Sequence, residues 1–441
     1  MKLAGWGNWP VADVRLGQLR YADEAPARLA EAPSLIARGN GRAYGDAALN
    51  PELTLSMRGL SRVRVFDRSE GRITVEAGAL LSDLLPVLIR AGWFVPVTPG
   101  TKFVTIGGMA AADVHGKNHH GAGSFAHYVD ALELLTADGQ TLICTPWDNA
   151  ELFAATLGGM GLTGVILSVT FRLQPIETTW MRQETLACSD LDSVMAAFEE
   201  SGDWTYSVAW IDCLASGGDL GRSLLYRAEH ARPDELAHAR RSDPLALPRR
   251  HELAVPFYLP GMALNGMTVR AFNAWYYRRN AARAGTSLVD LDSYFYPLDA
   301  IGEWNRIYGR GGFAQHQSVL PLDQARNALG AMLERIAGAG SGSFLTVLKR
   351  LGPGRSGLSF PLEGYTLALD FPVNARNHAL LDELDTIVEA HGGRIYLAKD
   401  ARAGRSVIEA GYPEIESFRA LRAQSGARAR MESLMSRRLG L

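Results

Sequence analysis

The segment from Thr98 to His120 carries the residues best suited to chemistry, a run of small side chains followed by a dense group of polar ones. Gly107 and Gly108 add no side-chain volume, so a flat or charged group can approach their backbone closely. His115 and Lys117 then supply hydrogen-bond donors and titratable groups. This pattern predicts one wall of a cofactor site.

The polar group that ends this segment allows three interpretations. His115 and His119 have the i, i+4 spacing of metal ligands on a helix, but a glycine interrupts that helix and Lys117 brings a positive charge. The histidines, His120 included, could instead bond backbone carbonyls, or His115 or Lys117 could lie against a redox cofactor. Alcohol oxidation needs an electron sink, a proton acceptor and cations, and side chains supply only the last two. We therefore predict no metal and an organic cofactor.

A second candidate loop, Arg38–Asp46, follows Leu35–Ala37, which has the apolar character of a buried strand. Glycine occurs three times within seven residues of this loop and would expose successive backbone N–H groups to a pyrophosphate. A nucleotide-phosphate loop, a plain turn and a Rossmann turn all remain open. The Rossmann turn is disfavoured, since the spacing is Gly-x-Gly-x-x-x-Gly and the loop leads to a second predicted strand, Leu53–Met57, and not to a helix.

Lysine is scarce in this chain. Of the 45 basic residues only five are lysines, at positions 2, 102, 117, 349 and 399. Where arginine is used almost everywhere, a retained lysine favours a place that needs a compact ammonium with an adjustable pKa, although chance retention is the alternative. Lys117, Lys349 and Lys399 are therefore candidates for a site.

Composition excludes several classes of protein. The chain has 441 residues, enough for two domains, and its 47% hydrophobic and 21% charged content is typical of an ordinary soluble protein. A net charge of −2 argues against a broad nucleic-acid surface. No apolar run approaches the roughly 20 residues that cross a bilayer, and the N-terminal segment lacks the apolar core of a signal peptide. Cys144, Cys188 and Cys213 are too widely spaced to suggest disulfides or a zinc site, so we expect a cytoplasmic protein.

The first part of the chain alternates strand and helix patterns. Ile73–Ala77 has the alternation of a strand, and the leucines from Leu81 to Leu88 have helical spacing. Asp138-Gly139 predicts the turn of a hairpin. We place a domain boundary near Pro175.

From about Thr178 longer strand patterns are mixed with helix patterns, which predicts an antiparallel sheet with helices on one face. The segment His230–Arg250, rich in Arg, Pro and Asp, predicts a loop or mobile excursion, and Ile395–Asp400 predicts a strand that ends in charge. The other predicted strands are Tyr206–Trp210, Phe313–Leu320 and Thr366–Phe371, and the predicted helices are Leu191–Glu200, Asp323–Ala337 and Asn377–His391.

Aromatic and apolar residues bordered by arginines occupy the region Leu253–Arg279. This composition suits a surface that contacts lipid, which would make the protein peripheral at the inner face of the cell membrane. An ordinary packed helix with a basic end is the alternative.

Several motifs, in order along nearly the whole chain, resemble the vanillyl-alcohol oxidase superfamily and, within it, the decaprenylphosphoryl-ribose 2-oxidase family. They are Thr98–Thr101, His115–His120, Gly302–Arg306, Ser359–Pro361 and Ala398–Asp400, together with the glycine loop and the strand that begins near Gly161. The resemblance implies a two-domain α+β fold, with an FAD-binding domain and an antiparallel-sheet substrate domain. It places the FAD-binding domain at residues 1–177 and 394–441, with the substrate domain at 178–393.

The resemblance also implies which residues contact FAD. Many relatives attach FAD covalently through a histidine of the first glycine loop; no histidine lies between Arg38 and Asp46, so we expect non-covalent FAD. The implied cofactor residues are Arg38, Gly39, Asn40, Gly41, Arg42, Ala43, Tyr44, Gly45, Asp46, Ala47, Gly100, Thr105, Ile106, Gly107, Gly108, His115, Gly116, Lys117, Asn118, Ile166 and Tyr396.

The activity implied by the resemblance is oxidation of a secondary sugar alcohol by hydride transfer to the flavin, at the 2-hydroxyl of a polyprenyl-phosphoryl ribose, as the first step of epimerisation to the arabinose form used in cell wall biosynthesis. Lys399 and His115 are the two candidate bases. Mycobacterial members carry a cysteine where this chain has Ala368, so a catalytic cysteine is not expected. The implied substrate residues are Tyr44, Lys117, Gln315, Gln317, Lys349 and Asp370.

Further partners follow from the same resemblance. The electron acceptor would be a quinone or oxygen, and an NAD-dependent reductase would complete the epimerisation. Two other functions stay open: a soluble oxidase of free sugars, alditols or aldonolactones on the same fold, and a flavin-binding partner protein that oxidises nothing.

Overall fold

The computed structural model describes residues 1–247, 253–259 and 265–441 and shows a mixed α+β architecture. The predicted excursion at 230–250 and the predicted lipid-facing region at 253–279 therefore lie partly outside the described residues. In the described part the strands are β1 Lys2–Ala4, β2 Val11–Asp13, β3 Leu16–Gln18, β4 Ile36–Arg38, β5 Thr54–Ser56, β6 Val63–Asp67, β7 Arg72–Glu76, β8 Trp93–Phe94, β9 Val129–Leu135, β10 Thr141–Cys144, β11 Val165–Arg172, β12 Gln174–Pro175, β13 Trp180–Cys188, β14 Tyr206–Ile211, β15 Ser223–His230, β16 Leu253–Ala254, β17 Gly285–Asp290, β18 Ile301–Gly302, β19 Phe313–Pro321, β20 Val347–Leu351, β21 Gly364–Pro372 and β22 Arg394–Ile395.

Helices alternate with these strands and end the chain. None in the described part is both long and apolar enough to span a bilayer. They are α1 Ala25–Ala30, α2 Leu81–Arg90, α3 Ile106–Ala111, α4 His119–Ala122, α5 Ala150–Thr156, α6 Leu191–Glu199, α7 His238–Arg241, α8 Gly266–Ala281, α9 Leu291–Phe295, α10 Leu322–Ala339, α11 Ala375–Ala390, α12 Arg405–Gly411, α13 Ile415–Gln424, α14 Ala427–Arg430 and α15 Leu434–Leu439.

Two sheets, of three and five strands, form most of the first part of the molecule, beside the strand pairs β1-β2 and β8-β12. The strands β3, β5 and β4 pair in parallel, and β10-β9-β11-β7-β6 form an antiparallel sheet. The predicted hairpin is confirmed, since β9 and β10 pair antiparallel around Gly139, which has a φ of 87°. Strand β8 is short, because only Trp93 and Phe94 pair with another strand, β12.

An eight-stranded antiparallel sheet, in the order β17-β13-β15-β14-β20-β21-β19-β22, forms the second part. Apart from the strand predicted at 395–400, the predicted strands and helices of this part are confirmed to within two residues at each end. Helices α6, α10 and α11 pack against this sheet. Tyr276 of helix α8 contacts Trp210, which pairs with the cavity-lining residue Val347, whereas Arg270 of the same helix donates to Ala337 O of α10.

The end of the chain returns to the first part. Leu35 bridges to Met431, and Met431 and Ala427 share a core with Leu53 and Leu55. The strand predicted at 395–400 ends at Ile395, and the residues after it form a turn in which Lys399 N donates to Tyr396 O. The prediction assigns β22 to the FAD-binding domain, but β22 pairs with β19 of the large sheet. The domain boundaries at 177 and 393 therefore stay predictions.

Candidate active site

A cavity with a volume of about 320 Å³ lies between the glycine-rich loops and the large sheet. Backbone forms much of one wall, and the side chains of β19, β20 and β21 form a polar wall opposite. The glycines in the backbone wall are Gly39, Gly41, Gly100, Gly107, Gly108, Gly161 and Gly164.

The first glycine loop connects two parallel strands of one sheet. It leaves β4, passes the cavity and enters β5, and no helix occurs in residues 39–53. The Rossmann interpretation is therefore wrong, because that turn must lead directly into a helix. A Cβ at Gly39 would overlap the side-chain oxygen of Thr105, which accepts from Gly108 N at the start of α3. The glycine is needed for this close approach of the two loops.

His115 lies deep in the cavity wall. Its Nε2 is 3.1 Å from Gln317 Nε2, and its ring contacts both Phe360 and Tyr396, which stack on each other and each lie 5.3 Å away between ring centres. Burial, followed by the charge of Lys349, holds the pKa of His115 well below its ordinary value. The imidazole is therefore neutral at physiological pH.

The neighbouring histidines have structural contacts. His119 Nδ1 accepts a hydrogen bond from Gly352 N at 3.1 Å, and His120 Nε2 lies 2.8 Å from Trp204 O. Burial lowers the pKa of His119 to about 3, so it too is neutral. Ser207 N, in β14, donates to Lys117 O. The loop that carries Lys117 and the histidines therefore lies between β14 and β20, beyond the residues at which these two strands pair. Among the described residues no group of three or more acidic, histidine or cysteine side chains could hold a metal.

Lys117 lies behind the lining of the cavity. Its side chain does not line the cavity; Nζ contacts the carbonyl oxygen of Tyr294 and lies 4.2 Å from the centre of the Tyr294 ring. Burial, with help from Lys349, lowers the pKa of Lys117 to about 7. An aromatic ring and a carbonyl hold a buried ammonium without an anion, so the side chain has no need of a substrate there. The assignment of Lys117 as a substrate-contacting residue stays a prediction.

The polar wall owes its geometry to strand register. Gln315 lies opposite Asp370, and Gln317 lies opposite Ala368, which in turn lies opposite Val347. Since residues directly opposite share a face of the sheet, these side chains point to the same side. Thr366 and Lys349 form the next row, and both line the cavity.

Lys399 joins this wall from the turn after β22. Its Nζ lies 3.8 Å from the centre of the Tyr44 ring. Burial lowers the pKa of Lys399 to about 7, although the charge of Asp370 opposes this shift. Burial also raises the pKa of Asp370, whose Oδ1 accepts from Gln315 Nε2 at 2.7 Å. Asp370 itself does not line the cavity. Its carboxylate holds Gln315, and its charge opposes the lowering of the Lys399 pKa.

The predicted site residues divide into those that line the cavity and those that lie behind its surface. Those that do line the cavity are Gly39, Asn40, Gly41, Arg42, Ala43, Tyr44, Ala47, Gly100, Thr105, Gly107, Gly108, His115, Ile166, Tyr396, Gln315, Gln317, Lys349 and Lys399. Those that lie behind its surface are Arg38, Gly45, Asp46, Ile106, Gly116, Lys117, Asn118 and Asp370. In the first group Asn40 Nδ2 donates to Phe103 O; in the second group Arg38 Nη2 donates to Ala4 O and Asn118 Nδ2 donates to Pro96 O.

Residues near Arg42 line the cavity without having been predicted. The Arg42 guanidinium lies 3.8 Å from the centre of the Trp6 ring, and Trp6 packs against Trp304. Asp299 accepts from Lys102 N at 2.8 Å, and burial raises the pKa of Asp299. Trp304 belongs to one of the recognised motifs, but Trp6 and Asp299 carry no sequence signal that marks them as cavity residues.

The cavity fits FAD on the evidence of its own residues. A side chain added at Gly100 or Gly108, which are both exposed, would extend into the cavity. A Cβ at Gly39 would overlap Thr105. His115 Nδ1 is buried and has no partner among the described residues. Backbone amides along glycine loops bind phosphates, and a wall poor in side chains admits a flat ring.

Comparison with known proteins agrees with this reading of the site. A family model for an FAD binding domain matches residues 23–145. Decaprenylphosphoryl-beta-D-ribose oxidase of Mycolicibacterium smegmatis is 36% identical over 452 residues, which cover 100% of this chain and 97% of that protein. An uncharacterised protein of Streptomyces coelicolor is 38% identical over 82% of this chain and its own full length. L-Gulonolactone oxidase of Mus musculus is 34% identical over only 35% of this chain and 36% of that protein. The chain therefore belongs to the FAD-dependent oxidoreductases of the vanillyl-alcohol oxidase type, in the family of decaprenylphosphoryl-beta-D-ribose oxidase.

Proposed function

We propose that this enzyme oxidises the 2-hydroxyl of a polyprenyl-phosphoryl ribose to a ketone, the first step of epimerisation to the arabinose form. The observation that carries the proposal is that Lys399, Lys349 and two glutamines face the same cavity as the glycine-rich wall. The full-length similarity to decaprenylphosphoryl-beta-D-ribose oxidase supports the choice of substrate. Similarity to L-gulonolactone oxidase covers only about a third of either chain and gives less support to a lactone.

The side chains of the polar wall have distinct tasks. Bound FAD supplies the acceptor for the hydride that leaves the alcohol carbon. Lys399 Nζ takes the hydroxyl proton, because its lowered pKa leaves part of the amine neutral near pH 7. Gln317 and Lys349 bind sugar hydroxyls or the phosphate. Gln315 Nε2 donates to Asp370, and this bond fixes the orientation of the Gln315 amide at the cavity wall. His115, also neutral, is the second candidate for the proton acceptor.

The proposal includes non-covalent FAD. Among the described residues that line the cavity, His115 is the one histidine, and cysteine is absent. The first glycine loop, where relatives carry the linking histidine, has none. Heat or acid denaturation followed by filtration should therefore release the yellow cofactor completely. Colour retained with the precipitated protein would contradict non-covalent binding.

The rate of flavin reduction should rise as the pH increases through about 7. A base works only when it is deprotonated, and burial lowers the pKa of Lys399 from 10.5 to about 7. We expect anaerobic stopped-flow measurements to give a rate that levels off near about pH 8, well below the range of an ordinary lysine. A rate independent of pH between about 6 and 9 would rule out a titrating base in this range.

We also propose that helix α8 contacts the surface of a membrane. Of its sixteen residues only Val269 and Asn273 are buried, whereas Met267 is 81% exposed and Trp275 is 53% exposed. Phe272, which contacts Phe344 beside the aromatic core around Tyr44 and Trp304, is also exposed. Exposed rings followed by Arg278 and Arg279 suit the interface of an anionic bilayer. The enzyme would then bind its lipid-linked substrate at the membrane in which the lipid tail is embedded.

Replacing both Phe272 and Trp275 by serine should weaken binding to vesicles of anionic phospholipid by at least about 10-fold, because each ring buries apolar area worth roughly 1.5–3 kcal/mol when fully covered. Sedimentation with vesicles measures the change. Trp147→Ser is the matched control, since Trp147 is 85% exposed and lies on a different face near α5. Equal vesicle binding by the double variant and the wild type would contradict the membrane proposal.

The later steps of the reaction belong to the proposal as well. A quinone or oxygen would accept the electrons taken from the sugar, and an NAD-dependent reductase would reduce the ketone to the arabinose form. The substrate itself is tested by offering a short-chain polyprenyl-phosphoryl ribose, free alditols and aldonolactones to the enzyme with an artificial acceptor. We expect the keto sugar only from the phosphoryl ribose. Faster oxidation of a free sugar or lactone would support the aldonolactone alternative.

A further inference from the structure

An arginine near the end of the chain bonds to both loops that meet beneath Lys399. Arg438, in α15, donates through Nε and Nη2 to the two carboxylate oxygens of Asp46, at 3.1 and 3.0 Å. Nη2 also donates to Asp400 Oδ2 at 2.8 Å, and Nη1 donates to Ala403 O at 2.7 Å. One guanidinium therefore holds two carboxylates from distant parts of the sequence.

The two carboxylates belong to the loops that build the site. Asp46 ends the first glycine loop, and Asp400 directly follows Lys399. Tyr44 N donates to Ala398 O at 3.0 Å, and a Cβ at Gly45 would overlap the carbonyl oxygen of Asp400. The loops are thus in direct contact, and this contact places Lys399 Nζ over the Tyr44 ring.

The contact depends on charge balance. Asp46 and Asp400 are only 4% and 3% exposed, and in the described residues Arg438 is the one cation that bonds either of them. Burial and the charge of Asp400 raise the pKa of Asp46, whereas Arg438 lowers it. Without the guanidinium, two buried carboxylates would face each other uncompensated, an arrangement that is relieved when the loops separate.

We propose that Arg438 is a positioning residue for Lys399: it holds the turn that carries the amine against the glycine loop. Arg438 does not line the cavity and acts only through Asp46 and Asp400. The inference rests on the proposed function in one respect, namely that Lys399 takes the proton of the alcohol. The other part of the inference, that Arg438 acts as a charge clamp between the two loops, does not depend on the identity of the substrate.

The test uses Arg438→Met in the FAD-loaded enzyme. We expect flavin reduction by polyprenyl-phosphoryl ribose to slow by about 10- to 100-fold, with a smaller change in KM, since a displaced reacting group lowers the rate more than binding. The visible circular dichroism of the bound flavin should change as well. Adding Asp46→Asn to Arg438→Met removes the repulsion and should restore at least half of the lost rate on a logarithmic scale.

Arg437→Met is the matched control. Arg437 is the preceding arginine of the same helix, but it pairs with Glu432 at the surface and should leave rate and spectrum unchanged. If Arg438→Met does not fold, Arg438→Lys serves in its place, because a single ammonium cannot bond both carboxylates in the same way. We expect it to be slower than the wild type.

Three results would overturn the clamp: an Arg438→Met enzyme with the wild-type rate and flavin spectrum, a double variant no faster than the single one, or an Arg438→Lys enzyme equal to the wild type. Failure of the proposed function is recognised separately. In that case the wild type itself does not oxidise the phosphoryl ribose, while the change in the flavin spectrum of Arg438→Met and its reversal by Asp46→Asn still support the clamp.

Discussion

Replacement of Lys399 by methionine should lower the rate of flavin reduction by about 10³-fold, within the range expected for loss of a general base. Methionine keeps much of the length and apolar character of the side chain but has no group that accepts a proton. The neighbours Tyr44 and Gln315 remain, so FAD should stay bound and its visible spectrum should persist. Anaerobic stopped-flow reduction measures the effect.

His115→Gln separates the two candidate bases. Glutamine can still contact Gln317 but cannot take a proton, so we expect a loss of no more than about 10-fold if Lys399 is the base. If Lys399→Met retains more than about a tenth of the wild-type rate, Lys399 contributes less than roughly 1.4 kcal/mol to the barrier and is not the base. A larger loss in His115→Gln than in Lys399→Met would assign the proton to His115.

A leucine in place of Gly108 should weaken FAD binding by at least about 100-fold, or roughly 2.7 kcal/mol. Gly108 is exposed on the cavity wall, and the one atom within 4 Å of an added Cβ is the Thr105 side-chain oxygen at 3.0 Å. The new side chain would therefore extend into the space assigned to the cofactor. Leucine also has the higher helix propensity, so α3 should not lose stability.

Gly338→Leu is the matched control for this variant. Gly338 is likewise an exposed glycine in a helix, α10, with open space at the position of a Cβ, but it lies away from the cavity. Titration of the apoproteins with FAD, followed by quenching of flavin fluorescence, gives both affinities. Wild-type affinity in Gly108→Leu would show that FAD does not occupy this wall.

The sequence is sufficient to predict those parts of the site that depend on local composition. Glycines at 39, 41, 107 and 108 line the cavity as expected, because a wall without side chains leaves a visible pattern in the chain. The scarcity of lysine similarly singles out Lys349 and Lys399, and both face the cavity. Helices and strands of the large sheet were also predictable, since each extends over enough residues for its periodicity to show.

Other parts depend on contacts that the sequence does not display. The direction of the Lys117 side chain is decided by Tyr294, which is far away in sequence and offers a carbonyl and a ring. Trp6 lines the cavity only because the N-terminal segment packs on the glycine loop, where Trp6 N donates to Ala43 O. The resemblance implies that Asp370 binds substrate; in the structure its carboxylate accepts from Gln315 on the same face of the sheet and does not line the cavity.

The most direct test of the central claim, FAD-dependent oxidation of a lipid-linked ribose, is anaerobic addition of a polyprenyl-phosphoryl ribose to the purified FAD-loaded enzyme while the visible spectrum is recorded. We predict that the oxidised flavin band bleaches and that one keto sugar forms for each flavin reduced. A flavin that stays oxidised with this substrate, yet is bleached by dithionite, would contradict the claim.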